Sequence, residues 1–60
     1  MITLKKFSNN NPVVADGVRA INQLPPKTDI PYLTYRRWVK GDAKVSPVYR
    51  VLLMLKGIKI

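Results

Sequence analysis

The sequence predicts a small, mainly α-helical domain of three to four helices, with short strands allowed at its two ends. Apolar residues recur at helical spacing in three segments, residues 12–23, 31–40 and 47–55. Each segment opens on a proline, which the first turn of a helix accepts. The chain has 60 residues and no cysteine, so it must fold around one thin hydrophobic core without disulfide support. We therefore treat residues 1–60 as a single domain.

The first seven residues fit either of two structures. Their mixture of apolar and polar residues allows an edge strand, whereas Thr3 as an N-cap allows a short helix that packs through Leu4 and Phe7. We favour the short helix or an extended arm. The polar run Ser8–Asn11 predicts a turn that also caps the helix after it.

The helix predicted at residues 12–23 begins at Asn11-Pro12, a capping residue followed by proline in the first helical position. Its core face carries residues at i, i+3, i+4 and i+7: Val14, Gly17, Val18 and Ile21. Gly17 costs roughly 0.5–1 kcal/mol relative to alanine inside a helix. It therefore indicates either close approach of another helix or a break. Pro25-Pro26 ends the helix.

The helix predicted at residues 31–40 has two unlike sides. Thr28 or Asp29, in the connector before it, would cap its start, and Gly41 would end it in the left-handed conformation. One side is an apolar stripe of Tyr35, Trp38 and Val39, and the other carries Leu33, Arg36, Arg37 and Lys40. We expect the rings to seat the helix in the core while the other side presents cations.

The last helix is predicted to follow a loop at residues 42–45 and to begin at Ser46-Pro47. Its expected buried face is Val48, Val51, Leu52 and Leu55, at i, i+3, i+4 and i+7. Gly57 would close the helix. A strand is the competing interpretation of residues 48–55, because they are rich in β-forming residues. The alternating tail Ile58–Ile60 would add a short strand or a dimer contact.

The charge of the chain indicates a polyanionic partner. Eleven lysines and arginines stand against three aspartates and no glutamate, which gives a net charge of +8 and a pI near 10.4. Such a field favours DNA, RNA or an anionic membrane face. The longest apolar run, Val51–Leu55, is far shorter than the ~20 residues of a membrane span. No secretory signal follows Met1, so we expect a cytoplasmic protein.

Catalysis and cofactor binding find little support in the sequence. Histidine, cysteine and glutamate are absent, and Asp16, Asp29 and Asp42 lie in different segments. The three glycines are isolated, so no phosphate-binding glycine loop exists. We therefore expect no enzyme activity, no metal and no cofactor.

The run Leu33–Leu55, LTYRRWVKGDAKVSPVYRVLLML, resembles the second half of Cro/repressor-type helix-turn-helix domains. Their recognition helix often ends in Trp-x-x-Gly or a similar apolar-x-x-Gly, before a short basic loop with a proline and an apolar helix. The run is also similar to part of small phage transcription activators. The opening ITLKKF is similar to that of some phage Cro and excisionase proteins.

This resemblance implies a helix-turn-helix domain in which residues 12–24 form the scaffold helix and Gly17 faces the recognition helix at 31–40. The implied base contacts in the major groove are Tyr32, Leu33, Thr34, Arg36 and Arg37. The expected phosphate contacts are Lys27, Thr28, Lys40, Lys44 and Ser46. The chain departs from the family at its linker, PPKTDI, which is longer than the usual tight turn.

We therefore expect a sequence-specific double-stranded DNA binder: a phage- or plasmid-type transcription regulator, such as a repressor, that acts as a homodimer in a bacterial cytoplasm near the nucleoid. The long linker allows an alternative, an excisionase-like architectural factor in which residues 48–55 form a wing strand. A third possibility is a protein-interaction module that inhibits a host factor through Leu33, Val39 and Leu53. RNA binding is less favoured, since Tyr35 and Trp38 are expected in the core.

Overall fold

The computed structural model describes all 60 residues, and it confirms a mainly α-helical fold with short terminal strands. The elements in chain order are β1 (Ile2–Thr3), α1 (Leu4–Asn10), α2 (Val14–Gln23), α3 (Tyr32–Lys40), α4 (Pro47–Leu55) and β2 (Ile58–Lys59). The Cα atoms span 22 × 20 × 20 Å. None of the helices has both the length and the apolar character needed to cross a bilayer.

The N-terminal segment forms both of the structures that its sequence allows. β1 pairs in parallel with β2, with Ile2 opposite Ile58, so the two ends of the chain meet. Thr3 then caps α1, because its Oγ1 accepts the backbone amide of Lys6 at 3.1 Å. The buried residues of α1 are those expected, Leu4 and Phe7.

The predicted turn at residues 8–11 is wrong. Ser8 to Asn10 continue α1, and Asn11 closes that helix by donating from Nδ2 to the carbonyl of Phe7 at 2.9 Å. Since this side chain is taken up by the preceding helix, it does not cap α2. That helix begins two residues later than predicted, at Val14, with Val13 as an N-cap that provides no side-chain bond.

Gly17 marks a close approach between helices and not a break. α2 runs through it without interruption, and it faces Tyr35 of α3. A Cβ built on Gly17 would lie 2.7 Å from Tyr35 Oη and 3.1 Å from Cε2. Only a residue without a side chain lets the ring of Tyr35 approach the backbone of α2 this closely.

The connector between α2 and α3 is organised by Asn22, which the sequence did not single out. Its Oδ1 accepts the amide of Ile30 at 2.7 Å and the hydroxyl of Thr28 at 2.9 Å, and its Nδ2 donates to the carbonyl of Ile30 at 3.1 Å. The predicted caps Thr28 and Asp29 are therefore wrong, since Thr28 bonds back to α2. α3 begins at Tyr32, with Pro31 as an N-cap that forms no side-chain bond.

α3 follows its prediction closely. Tyr35 and Trp38 are buried, and Val39 is partly buried beside them. The helix ends at Gly41, which has φ of +78°. The amides of Gly41 and Asp42 return to the carbonyls of Trp38 and Arg37, so the last turn is closed by the backbone.

α4 is a helix, which excludes the wing strand considered for residues 48–55, but its buried face was predicted wrongly. Its buried or partly buried residues are Tyr49, Leu52 and Leu53, followed by Lys56 just beyond its end. Its exposed apolar residues are Val48, Val51, Met54 and Leu55. Of the four residues expected in the core, only Leu52 is partly covered.

Two contacts explain why α4 buries a different face from the one predicted. Tyr49 packs edge-on against Trp38, with ring centroids 5.2 Å apart. Lys56 donates from Nζ to the carbonyls of Leu24 at 2.8 Å and Pro26 at 2.7 Å, at the connector after α2. Gly57 follows with φ of +84° and turns the chain into β2.

One cluster of nine buried apolar side chains holds these elements together. Tyr35, Ile21, Leu53 and Ile58 are its most completely buried members. The others are Leu4, Phe7, Val18, Ile30 and Trp38. Every helix and β2 contribute, so α3 is fixed by contacts from the whole chain.

Candidate nucleic-acid interface

The candidate site is built on α3, whose orientation is fixed by its two rings. Tyr35 has no exposed surface and Trp38 is 9% exposed. Rotation of the helix would expose these rings and separate Trp38 from Tyr49. Burial of two aromatic side chains contributes several kcal/mol, on the order of 1.5–3 kcal/mol each. The opposite side of α3 is therefore held toward solvent.

Residues on this outer side fall into two neighbouring rows. Successive residues of a helix are separated by about 100°. Arg36 lies on the same flank as Lys40, four residues later, whereas Thr34 and Arg37, three residues apart, lie on the other flank. Leu33 is between the rows and is 57% exposed.

The five predicted base-contact residues differ in exposure. Tyr32, Leu33 and Arg37 are exposed, whereas Thr34 and Arg36 are partly buried. All five lie on α3, within its first six residues. The structure thus brings them onto one short helix surface, with Arg37 the more accessible of the two guanidinium groups.

A shallow depression of about 180 Å³ lies between α3 and the start of α4. Its polar lining residues are Thr34, Arg37, Lys44 and Ser46, with Trp38 and Tyr49 at its floor. The first turn of α4 contains no acidic residue, and the side chain of Ser46 forms no capping bond. Two cations and the hydroxyl of Ser46 therefore line one depression beside the start of α4, an arrangement that favours an anion.

A second depression, of about 360 Å³, lies on the other side of α3, against α1. Its polar residues are Lys5, Ser8 and Lys40. The sequence did not single out Lys5 as a site residue. The Lys-Lys pair at residues 5–6 was visible, but only the packing of α1 beside α3 places Lys5 near Lys40. The expected phosphate contacts thus lie on both flanks of α3.

Two of the predicted phosphate contacts lie apart from these depressions. Lys27 is exposed on the connector and lines neither depression. The hydroxyl of Thr28 donates to Asn22, so its role in the structure is to hold the connector. No contact brings Lys27 near Lys44, although the connector leads directly into α3.

The cations around α3 have no carboxylate partner. The only ion pair of the chain joins Arg19 to Asp16, both on α2. Arg36, Arg37, Lys40 and Lys44 therefore keep their charges available to a ligand. With a net charge of +8 on a body about 20 Å across, their field adds to that of the rest of the chain.

Two ionisable groups are shifted by burial, and both are structural. Burial raises the pKa of the Tyr35 hydroxyl, which has no hydrogen-bond partner. Burial lowers the pKa of the Lys56 amine, which donates to two backbone carbonyls. The hydroxyl faces α2 and the amine faces the connector, so neither belongs to the cationic surface of α3. No cluster of three metal-ligating side chains exists in the chain.

Comparison of the chain with models of known families, with curated proteins and with solved structures gave no significant match. Function is therefore inferred from the geometry and charge of α3 and its two flanks.

Proposed function

We propose that this chain is a sequence-specific double-stranded DNA-binding protein that regulates transcription, with α3 as the helix that enters the major groove. One observation carries the proposal: α3 buries Tyr35 and Trp38 and holds Arg36, Arg37 and Lys40 outward without acidic partners. A helix of this kind is seated firmly enough to read a fixed set of bases.

The dimensions of α3 suit this role. A helix with its side chains is about 10–12 Å across, and the major groove of B-DNA is about 12 Å wide. The nine residues of α3 give it a length of about 13–14 Å. None of the residues on its outer side is acidic. The helix would therefore enter the groove without repulsion from the phosphates.

Each outer residue has a defined role in the proposed complex. Arg36 and Arg37 donate paired hydrogen bonds to guanine O6 and N7, worth about 1–3 kcal/mol of discrimination each. Leu33 meets a thymine methyl group, and Tyr32 and Thr34 contact a base edge or a phosphate at the groove wall. These contacts supply sequence preference.

The two depressions beside α3 supply the phosphate contacts. Lys44 and Ser46, at the start of α4, hold one strand, and Lys40 with Lys5 holds the other. Such contacts fix the register of α3 in the groove but do not distinguish sequences. We propose that the protein is held in this way at a regulatory site on DNA in a bacterial cytoplasm.

Selection of bound duplexes from a random pool, performed at two salt concentrations, tests the proposal. We expect an enriched motif of a few base pairs, and an affinity that falls linearly on a logarithmic salt scale. Each phosphate contact contributes about −0.9 to that slope. Enrichment of no motif at either concentration would contradict sequence-specific binding.

Two variants separate the proposed roles. Arg36→Ala should flatten the preference for the selected motif over random duplex, whereas Lys44→Ala should weaken both duplexes equally and lower the salt slope by about 1. Arg19→Ala is the matched control, since it removes the same charge from the exposed side of α2. The assigned roles are wrong if the first two variants behave alike.

A further inference from the structure

The outer side of α4 is apolar and uncovered. We use the term α4 outer face for Val48, Val51, Met54 and Leu55, which are 56–71% exposed. Three of them, Val48, Val51 and Leu55, follow one another at i, i+3 and i+7, the spacing of a helix that packs against another helix. No other element of the chain covers this row.

The α4 outer face points away from α3. Tyr49 of α4 packs against Trp38 of α3, which defines the inner side of α4. Val51 lies two residues after Tyr49, about 200° further around the helix. A partner on the α4 outer face would therefore leave the cationic side of α3 free.

The apolar surface extends beyond the helix. Met54 borders a depression of about 370 Å³ that is also lined by Met1, Ile58 and Ile60. The exposed apolar side chains of the face and the depression offer on the order of 500 Å² of apolar surface. This is as large as the largest patch of most monomers, and such a patch is often functional.

We propose that the α4 outer face binds a second copy of this chain, so that the protein forms a two-fold symmetric dimer through a pair of α4 helices. Two copies of this surface, at on the order of 500 Å² each, would bury about 1,000 Å² in total, the lower limit for a specific interface. The face and the neighbouring depression form one surface, so each copy offers both apolar side chains and a place to receive them. A symmetric pair needs this self-complementarity.

An acidic partner fits this surface poorly. The α4 outer face itself carries no cation, and Arg50 and Lys59 line the neighbouring depression. Around α3, by contrast, there are five cations without a carboxylate partner: Lys5, Arg36, Arg37, Lys40 and Lys44. An acidic protein would be drawn to α3. A second copy, in contrast, needs only an apolar surface matching this one.

The size of such a dimer is compatible with two half-sites one turn of DNA apart. Each body is 20–22 Å across, so two bodies side by side span on the order of 40 Å. That span accommodates two α3 helices about 34 Å apart, one turn of DNA. The association itself does not rest on DNA binding, and it is testable without DNA.

Charge gives this association a distinctive salt dependence. Two copies at +8 repel each other, and salt screens that repulsion over about 10 Å at 0.1 M. Added salt should therefore strengthen the dimer, whereas it weakens binding to DNA. Failure of the dimer proposal is thus distinguishable from failure of the DNA-binding proposal.

Sedimentation equilibrium of the full chain, at about 50 mM and about 500 mM NaCl, tests the proposal. We expect a concentration-dependent increase from 6.8 kDa to twice that mass, with tighter association at the higher salt. A constant mass of 6.8 kDa at both salts, up to millimolar protein, would overturn it.

Val51→Lys and Val13→Lys form a matched pair of variants, because the two valines are 56% and 57% exposed, with Val51 on α4 and Val13 at the N-cap of α2. Val51→Lys should weaken association about tenfold or more, as expected for the centre of an interface. Val13→Lys should leave it unchanged, and circular dichroism of both variants checks that their helices are kept. Equal effects of the two substitutions would assign the contact to another surface and overturn the proposal.

Discussion

α3 and α4 are helices of nine residues each, but they use their apolar residues in opposite ways. α3 buries its apolar stripe and exposes cations, whereas α4 exposes three of the four apolar residues that its periodicity marks for burial. The difference shows that a 3.6-residue pattern identifies an apolar side without saying what covers it. In α3 the covering comes from this chain. In α4, we propose, it comes from a second copy.

The largest difference in effect on the free energy of unfolding is expected within α4, between substitutions of two leucines. Leu53 has no exposed surface and Leu55 is 64% exposed. Leu53→Ala should lower the free energy of unfolding by about 2–5 kcal/mol, because it opens a cavity in the core. Leu55→Ala should change it by less than about 0.5 kcal/mol in dilute, monomeric protein.

Urea unfolding followed by circular dichroism measures both effects. The substitution is the same on the same helix, so helix propensity cancels in the comparison. If Leu55→Ala were the more damaging variant, the buried face of α4 would be the one that the sequence pattern indicates.

A second contrast separates two lysines at the end of the chain. Lys56→Met should lower the free energy of unfolding by about 1–3 kcal/mol, because the carbonyls of Leu24 and Pro26 lose their donor. Lys59→Met, at an exposed position, should have an effect under about 0.5 kcal/mol. Thermal unfolding of the two variants provides the comparison. Equal stability would mean that the amine does not orient α4.

Gly17→Ala tests the close contact between α2 and the ring of Tyr35, which holds α3 in place. The new methyl group would lie 2.7 Å from Tyr35 Oη, so overpacking costs about 1–3 kcal/mol, against roughly 1 kcal/mol gained in helix propensity. We expect a net loss of stability. Adding Tyr35→Phe removes the nearest atom and should recover part of that loss, which a double-mutant cycle by urea unfolding would detect. Strict additivity of the two changes would argue against the contact.

The smallest effect is expected for Tyr35→Phe alone. The hydroxyl is buried without a partner, so its removal at neutral pH should leave the free energy of unfolding unchanged or raise it by about 1 kcal/mol. A clear loss at neutral pH would show that the hydroxyl is hydrogen-bonded.

Alkaline pH should enlarge the difference in stability between Tyr35→Phe and the original chain. Burial raises the pKa of Tyr35, so above pH ~10 the unfolded chain releases this proton and the folded chain keeps it. The native state of the original chain therefore loses stability relative to Tyr35→Phe, by up to ~1.4 kcal/mol per pH unit. Burial lowers the pKa of Lys56, which changes stability with pH in the opposite direction. Both proteins retain Lys56, so this contribution cancels when the two are compared.

The sequence predicts local structure well where neighbouring residues allow only one arrangement. Two large rings opposite three cations leave α3 a single way to be buried, and a glycine after Lys40 ends it. Gly17 belongs to the same group, because a glycine inside an amphipathic helix has few explanations, and close approach of a ring is one of them.

Other features depend on residues distant in sequence, and local patterns do not reveal them. Asn22 holds the connector through groups six and eight residues away, whereas residues 28 and 29 looked like ordinary helix caps. Lys5 joins Lys40 only because α1 packs beside α3. α4 has apolar residues on both sides, and the contacts of Tyr49 and Lys56 decide which side is buried.

The most direct test of the account is to titrate a short duplex containing the selected motif into isotopically labelled protein and follow the backbone amide shifts. We predict that the largest changes fall on α3 and on the loop to Ser46, with a smaller group around Lys5. Changes concentrated on the α4 outer face, with α3 unaffected, would contradict the assignment of α3 as the DNA-reading helix.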